Sequence, residues 1–322
     1  MNSALKGKVV VITGASSGIG RQTSVAFARL GCRVVVAARR LSELQACVEL
    51  CRSAGGEAIA VSTDVTQEEA VRALVRRTLQ EWSQIDIWVN NAGTTLFSYL
   101  AQSDFGLHRQ VLETNLIGAM LCARAVLPVF HKQRFGTLIN VGSILSKVGQ
   151  AFVPSYVISK FGVRGLSEAL RAEVADEPHI HVCTIMPYTV DTPHFQAGAN
   201  ITGKEAHAMP PVQSAERISR AIVDLAKRPR REIHVPRYAV LGLALHRLFP
   251  RTAERLLLHA LRSFHLGAEE TPTLGSLFRP SSEPGSVTGR RRPLITNGAF
   301  VLWVVGDVAR MAAASARRIL RG

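Results

Sequence analysis

Ser143, Tyr156 and Lys160 are the residues whose types and spacing carry the most chemistry in this chain. A serine stands just past an apolar run, and Tyr156-Val157-Ile158-Ser159-Lys160 opens a long amphipathic stretch. At i and i+4 on a helix, the phenol and the ammonium share one face. A phenol with a pKa of about 10 exchanges its proton poorly near neutrality, and a neighbouring ammonium favours the phenolate and lowers that value toward the useful range. The pattern predicts Tyr156 as a general acid for reducing a carbonyl, with the Ser143 hydroxyl on the carbonyl oxygen and Lys160 in reach of a cofactor ribose. The hydride in such a reaction comes from a bound cofactor.

The signal for that cofactor lies at the other end of the chain, in Thr13-Gly14-Ala15-Ser16-Ser17-Gly18-Ile19-Gly20 between an apolar run and an apolar-periodic helix. Gly14 permits a tight turn, Gly18 lets backbone approach a pyrophosphate, and Gly20 lets the helix pack on the strand, while the helix N-terminus offers free N–H groups. After the second apolar run, where an NAD site places an acid for the adenosine 2'-hydroxyl, the sequence reads Ala37-Ala38-Arg39-Arg40. A missing carboxylate and a guanidinium suit a 2'-phosphate, so NADP(H) is expected in preference to NAD(H).

These residues need a frame. Short β-rich runs near 8–12, 33–38, 57–61, 85–89, 137–141, 180–185 and 232–235 alternate with amphipathic segments near 18–30, 41–54, 67–81, 106–133, 155–176 and 214–227. That rhythm predicts an α/β fold, a mostly parallel, doubly wound seven-stranded sheet covered by helices. The irregular stretch 191–212 between the sixth strand and the next helix is long enough to be functional. Residues 1–236 form the dinucleotide-binding and catalytic domain, 237–265 an amphipathic helical extension, 266–293 a flexible linker rich in Gly, Pro and Ser, and 294–322 a C-terminal amphipathic basic helix.

On these residues the chain resembles the short-chain dehydrogenase/reductase family, of the single-domain NAD(P)-dependent, Rossmann kind, over about residues 6–236. The family's marks stand in order: Thr13 to Gly20, Asp64-Val65 after the third strand, Asn90-Asn91-Ala92-Gly93 after the fourth, Asn115, Ser143, Tyr156, Lys160, and Pro187 with Val190 and Thr192. The resemblance implies that Asp64 bonds the adenine amino group, that Asn91 and Gly93 line the cofactor cleft, and that Val190 and Thr192 fix the nicotinamide carboxamide. It also implies that Asn115 bends its helix and holds a water beside Lys160, and that helices near 106–133 and 155–176 build a homodimer or homotetramer. Tyr188 departs from the family's usual small residue after the proline, and is read as a bulky residue that excludes water.

Composition narrows the alternatives. The chain has 322 residues, 47% hydrophobic and 20% charged, which is globular. Its five cysteines are scattered without a CxxC or a His pair, so neither a disulfide framework nor a metal site is expected, and a reducing, cytoplasmic setting is. No signal peptide is expected at the start, and the longest apolar runs, of about eight residues, fall short of the ~20 that a spanning helix needs. The net charge of +15 sits mostly in residues 227–322, where seventeen Lys and Arg face six Asp and Glu. Within them Leu256, Leu257, Ala260, Leu261 and Phe264 form one helical stripe, with Arg251, Arg255 and Arg262 opposite. Val301, Val304, Val305, Val308, Met311, Ala312 and Ile319 form another, opposite Asp307, Arg310, Arg317 and Arg321. Such helices lie in a membrane interface, cover an apolar cleft or pack on a neighbouring subunit, and the pattern leaves the three open. Nucleic-acid binding is disfavoured, since no binding fold or interleaved aromatics accompany the basic residues. The expected function is interconversion of a carbonyl and an alcohol on an apolar or lipid-like small molecule; the rival is an NADPH-binding sensor or scaffold at a membrane, which would need the cradle but not the Ser, Tyr and Lys set.

Overall fold

Val-rich runs, stiff at χ1 and apolar on both faces, make the central strands, as expected where helices cover a parallel sheet on both sides. They are β1 (Val9–Thr13), β2 (Arg33–Ala38), β3 (Glu57–Ser62), β4 (Ile87–Asn90), β5 (Gly136–Val141), β6 (Ile180–Pro187) and β7 (Glu232–Val235). In this computed structural model, which describes residues 4–319, they form one parallel sheet in the order β3-β2-β1-β4-β5-β6-β7. The order reverses between β1 and β4, so a crevice opens at the C-terminal ends of those two strands, where doubly wound sheets bind ligands.

Alternate residues of each strand feed opposite layers. Val10 and Ile12 of β1 and Val34 and Val36 of β2 pack with Phe27 of helix α1 (Gly18–Ala28), Leu44 and Cys47 of α2 (Leu41–Ser53) and Ile218 and Ile222 of a later helix, Ala215–Lys227. Val11, Val35 and Trp88 turn the other way, onto Leu74 of α3 (Glu68–Trp82), Val126 and Phe130 of the helix Gly118–Gln133, and Leu170 of the helix Pro154–Glu173. In chain order the remaining helices of eight residues or more are α4 (Phe105–Leu112), α5 (Gly118–Gln133), α6 (Pro154–Glu173), α7 (Ala215–Lys227), α8 (Ala239–Leu248), α9 (Pro250–Phe264) and α10 (Asn297–Ile319). A π-helical turn, Glu113–Ile117, joins α4 to α5 and carries Asn115. By length and composition Phe105–Gln133 is apolar enough to cross a membrane, with a mean hydropathy of 1.3. Here Val111, Val126, Leu127 and Phe130 of that stretch are buried within the protein.

Beyond β7 the chain folds back over the crevice. Residues 266–293 carry the composition of a flexible linker, yet Leu266–Glu269 pairs antiparallel with Lys204–Ala206, and 276–290 runs as a strap along the open side of the crevice. The reason is that its backbone carbonyls meet guanidinium donors, which composition does not disclose. The side chains of 311–319 lie outside the described residues, as do residues 320–322, and with them Met311, Ala312, Ile319, Arg317 and Arg321 of the expected stripe.

Candidate active site

The glycine turn is tied to β4 before any ligand is considered. Thr13 Oγ1 donates to the Val89 carbonyl (3.3 Å) and accepts from the Asn91 and Ala92 amides (3.0 and 3.1 Å), while Asn91 Nδ2 donates to the carbonyls of Thr13 (2.9 Å) and Gly14 (3.2 Å). Gly14 is left-handed, at φ +66°, and a Cβ on Gly20 would run into the Gly14 carbonyl oxygen. The start of α1 is thereby pressed onto the turn, and Ser17, its N-cap residue, makes no side-chain cap bond. Ser16, Ser17, Gly18 and Ile19 line one end of a cavity of about 670 Å³. A glycine cradle with helix-start donors, closed to any side chain, fits a dinucleotide pyrophosphate.

The strap crosses this end. Arg39 donates to the Ser276 and Phe278 carbonyls (2.8 and 2.9 Å), and Arg40 to those of Ser281 (3.0 Å) and Glu283. The Gly18 amide donates to Ser286 O (2.8 Å), and Arg21, paired with Glu43, donates to Gly285 O (2.6 Å). Both Arg39 and Arg40 still line the cavity, with Ser276, Leu277, Pro280 and Ser281 of the strap above them. Asp64 and Val65 line it at the end of β3, where Asp64 Oδ1 accepts from the Thr66 amide (3.0 Å) and hydroxyl (2.8 Å). Asn91, Ala92 and Gly93 line it after β4, and Pro187, Val190 and Thr192 at and after the end of β6.

Ser143, Tyr156 and Lys160 converge deeper in the same cavity. Ser143 caps a short turn, Ile144–Ser146, and its Oγ accepts from the Leu145 amide (3.2 Å); its hydroxyl also bonds the Tyr156 phenol. Lys160 Nζ lies 5.5 Å from the Tyr156 ring centroid and donates to the Val141 carbonyl (2.8 Å). Burial pushes the Lys160 ammonium down to about 8 and the Tyr156 phenol up to about 12, against the lowering effect of the Ser143 bond. The ammonium was expected to depress the phenol. In the protein alone, desolvation outweighs it, because the phenol is enclosed and the ammonium is turned onto a main-chain carbonyl. Asn115 Nδ2 donates to the Thr94 carbonyl (2.9 Å) and to Ser159 Oγ (3.0 Å), and its Oδ1 accepts from the Thr94 amide (2.7 Å). Its side chain thus ties the π turn to the strand-end loop and to α6.

Several other lining residues carried no sequence signal. His194 lies 5.4 Å, ring to ring, from Tyr156, and burial together with Lys160 pushes its imidazole down to about 4, so it stands neutral beside the phenol. Phe195 stacks at 6.1 Å on Phe97, and His265, the residue after α9, sits 5.6 Å from Phe97. Tyr188 lines the cavity, its phenol raised to about 12 by burial. Beyond these aromatics the far wall is aliphatic: Leu243 and Leu245 of α8, Leu256 and Leu257 of α9, and Phe300 and Val304 of α10. A histidine or leucine in a tail gives no hint of which cavity it will reach. Only Tyr188 after the proline and the amphipathic stripes carrying Leu256, Leu257 and Val304 pointed there.

The family model described as short chain dehydrogenase matches residues 8–200. A Bacillus subtilis protein named uncharacterized oxidoreductase YxnA is 32% identical over 256 residues, which cover 79% of this chain and 72% of that one. Among solved structures, a short-chain dehydrogenase/reductase from Burkholderia phymatum in complex with NAD superposes with a TM-score of 0.69 at 23% identity, over 77% of this chain and 95% of the other. An alcohol dehydrogenase from the archaeon Thermococcus sibiricus, complexed with 5-hydroxy-NADP, superposes with a TM-score of 0.63 at 26% identity, over 71% of this chain and 96% of the other.

Proposed function

Because the chain belongs to the short-chain dehydrogenase/reductase family, and is an oxidoreductase on that ground, we propose that it interconverts a carbonyl and an alcohol on an apolar, lipid-like substrate, using NADP(H). The observation that carries this reading is a single cavity with the Ser143, Tyr156 and Lys160 set at its middle, a glycine cradle at one end and an aliphatic wall at the other. A nicotinamide dinucleotide bound in the cradle supplies or accepts the hydride. The Ser143 hydroxyl holds the substrate oxygen, and the Tyr156 phenol gives it a proton in reduction or takes one in oxidation. Lys160 places a positive charge beside the phenol, which stabilises the phenolate left when the proton departs. Tyr188 and His194 close the site around that oxygen and exclude water.

The NADP(H) preference rests on Arg39 and Arg40 at the end of β2, where no carboxylate stands to repel a 2'-phosphate. The two solved neighbours hold NAD and 5-hydroxy-NADP respectively, so the fold accommodates either. Assembly as a homodimer or homotetramer through α5 and α6 is supported by their exposed Met120, Ile158 and Phe161. Five free, buried thiols suit a reducing cytoplasm.

The test is cofactor consumption over a panel of long-chain aldehydes, ketosteroids, quinones and 3-oxoacyl thioesters. NADPH turnover of an apolar carbonyl is expected, with Tyr156→Phe lowering kcat by roughly 10²–10⁴ while cofactor binding persists. Equal use of NADH would overturn the Arg39 reading. Tight NADPH binding without turnover on any substrate would favour the sensor.

A further inference from the structure

The helices α8, α9 and α10 are two-sided, and one side is accounted for. On α10, Phe300 and Trp303 pack on Phe264 of α9 with ring centroids at 6.1 and 5.1 Å, and the buried Asp307 meets His259 Nδ1 at 3.1 Å. Val304 reaches the catalytic cavity. The opposite face presents Val301, Leu302, Val305 and Val308 to solvent, with Leu302 75% exposed. Across the cavity mouth, α8 and the residues flanking it expose Tyr238, Val240, Leu245, Leu248 and Phe249, with Leu248 71% exposed. Leu245 and Tyr238 are at once exposed and part of the cavity lining, so the apolar surface is continuous with the catalytic cleft. Exposed apolar side chains gathered at the mouth of a cleft mark an interaction site.

Charge selects the occupant. Residues 237–264 hold Arg237, Arg247, Arg251, Arg255 and Arg262 against a single acid, Glu254, and all five guanidiniums are exposed. A second copy of the chain related by two-fold symmetry would set these guanidiniums against their own equivalents, at a repulsive cost. An anionic lipid surface neutralises such guanidiniums, and its acyl region accepts exposed leucines, valines and Phe249.

We propose that the face formed by α8, Phe249 and the first turns of α10 docks on an anionic lipid bilayer, so that an apolar substrate passes from the acyl region through the mouth at Tyr238 and Leu245 to Tyr156. The substrate half of this statement rests on the reading above, and the docking half stands without it.

The experiment is co-sedimentation of the full chain with vesicles of phosphatidylcholine alone and of phosphatidylcholine and phosphatidylglycerol in equal parts. Binding to the phosphatidylglycerol vesicles is expected, weakened by salt. The double variant Leu248→Asp, Leu302→Asp is expected to lose at least tenfold in that binding; neither residue lines the cavity, so its melting temperature and its turnover of a water-soluble aldehyde stay those of the parent. Equal sedimentation of parent and variant would overturn the docking face, since adsorption would then be charge alone. So would no sedimentation with either vesicle, or self-association that the variant abolishes without any vesicle binding. Vesicle binding in a protein that turns over no carbonyl would keep the docking face and sink the substrate reading, so the two fail separately.

Discussion

Val10, Val11 and Ile12 of β1, like Val34, Val35 and Val36 of β2, have no exposed surface at all, and the sheet they build is held by apolar layers above and below. The strap 276–290 buries one large aliphatic side chain, Leu277, beside Leu96 and Val111, rests the partly buried Val287 on the core, and is otherwise secured by polar contacts, those from Arg21, Arg39, Arg40 and the Gly18 amide among them. The first region is fastened by what its own side chains are. The second is fastened by what other side chains donate to its carbonyls. Apolar burial scales with area and is costly to undo, whereas a handful of charge-assisted hydrogen bonds can open locally without unfolding the rest.

The difference can be broken by substitution. Phe130→Ala, in the layer beneath α5, is expected to cost about 3–5 kcal/mol in denaturant unfolding, whereas Leu302→Ala on the outer face of α10 is expected to change it by less than about 0.5 kcal/mol; similar losses at both would end the contrast. In Gly285→Val the new side chain would meet the Ser16 carbonyl and the Arg21 guanidinium. Limited proteolysis between residues 270 and 290 is then expected to quicken by about tenfold, the effect of a 1.4 kcal/mol change in local opening, with the unfolding midpoint of the sheet unmoved. A loss of global stability instead would show that strap and sheet unfold as one.

The smallest effect sharpens the boundary between the regions. Burial holds His265 at about 4, below its ordinary 6.5, while Nδ1 bonds the His207 carbonyl (2.6 Å). The unfolded chain therefore binds this proton first as pH falls, so the stability present above 6.5 is lost progressively between 6.5 and about 4. His265→Asn, which can keep a donor for His207, is expected to flatten the melting temperature across that window, with the remainder due to His194, lowered to the same extent. An unchanged slope would place the acid sensitivity elsewhere.

The seven strands and the helices up to α7 could be read from the sequence because period-2 and period-3.6 apolar patterns reflect the burial that forms them. The glycine turn and the Ser143, Tyr156 and Lys160 set were legible because each chemistry admits few residue types. The break at Glu113–Ile117 was not visible as a π turn, since nothing in the periodicity of 106–133 marks one extra residue, although the family resemblance pointed to a bend at Asn115. The depressed phenol expected of Tyr156 failed for a different reason: spacing places Lys160 beside it but says nothing of enclosure, and desolvation prevails. The strap looked like a linker because a main-chain acceptor is present at every residue, so composition carries no trace of which ones are used.

That last property bears on how the strap tolerates change. Phe278, Ser281, Glu283 and Ser286 are gripped by their carbonyls, so their side chains are free to drift with little loss of grip, whereas Ser276 also holds the Ala197 carbonyl through its own hydroxyl (2.8 Å). Gly275, Gly285 and Gly289 have no such latitude, because an added carbon at each would strike a carbonyl of the body beneath: Ala197 and Gly198, Ser16, and Thr192. A mutational scan of 275–290 would therefore read as a few fixed letters, the three glycines with Ser276 and the buried Leu277, in an otherwise permissive text.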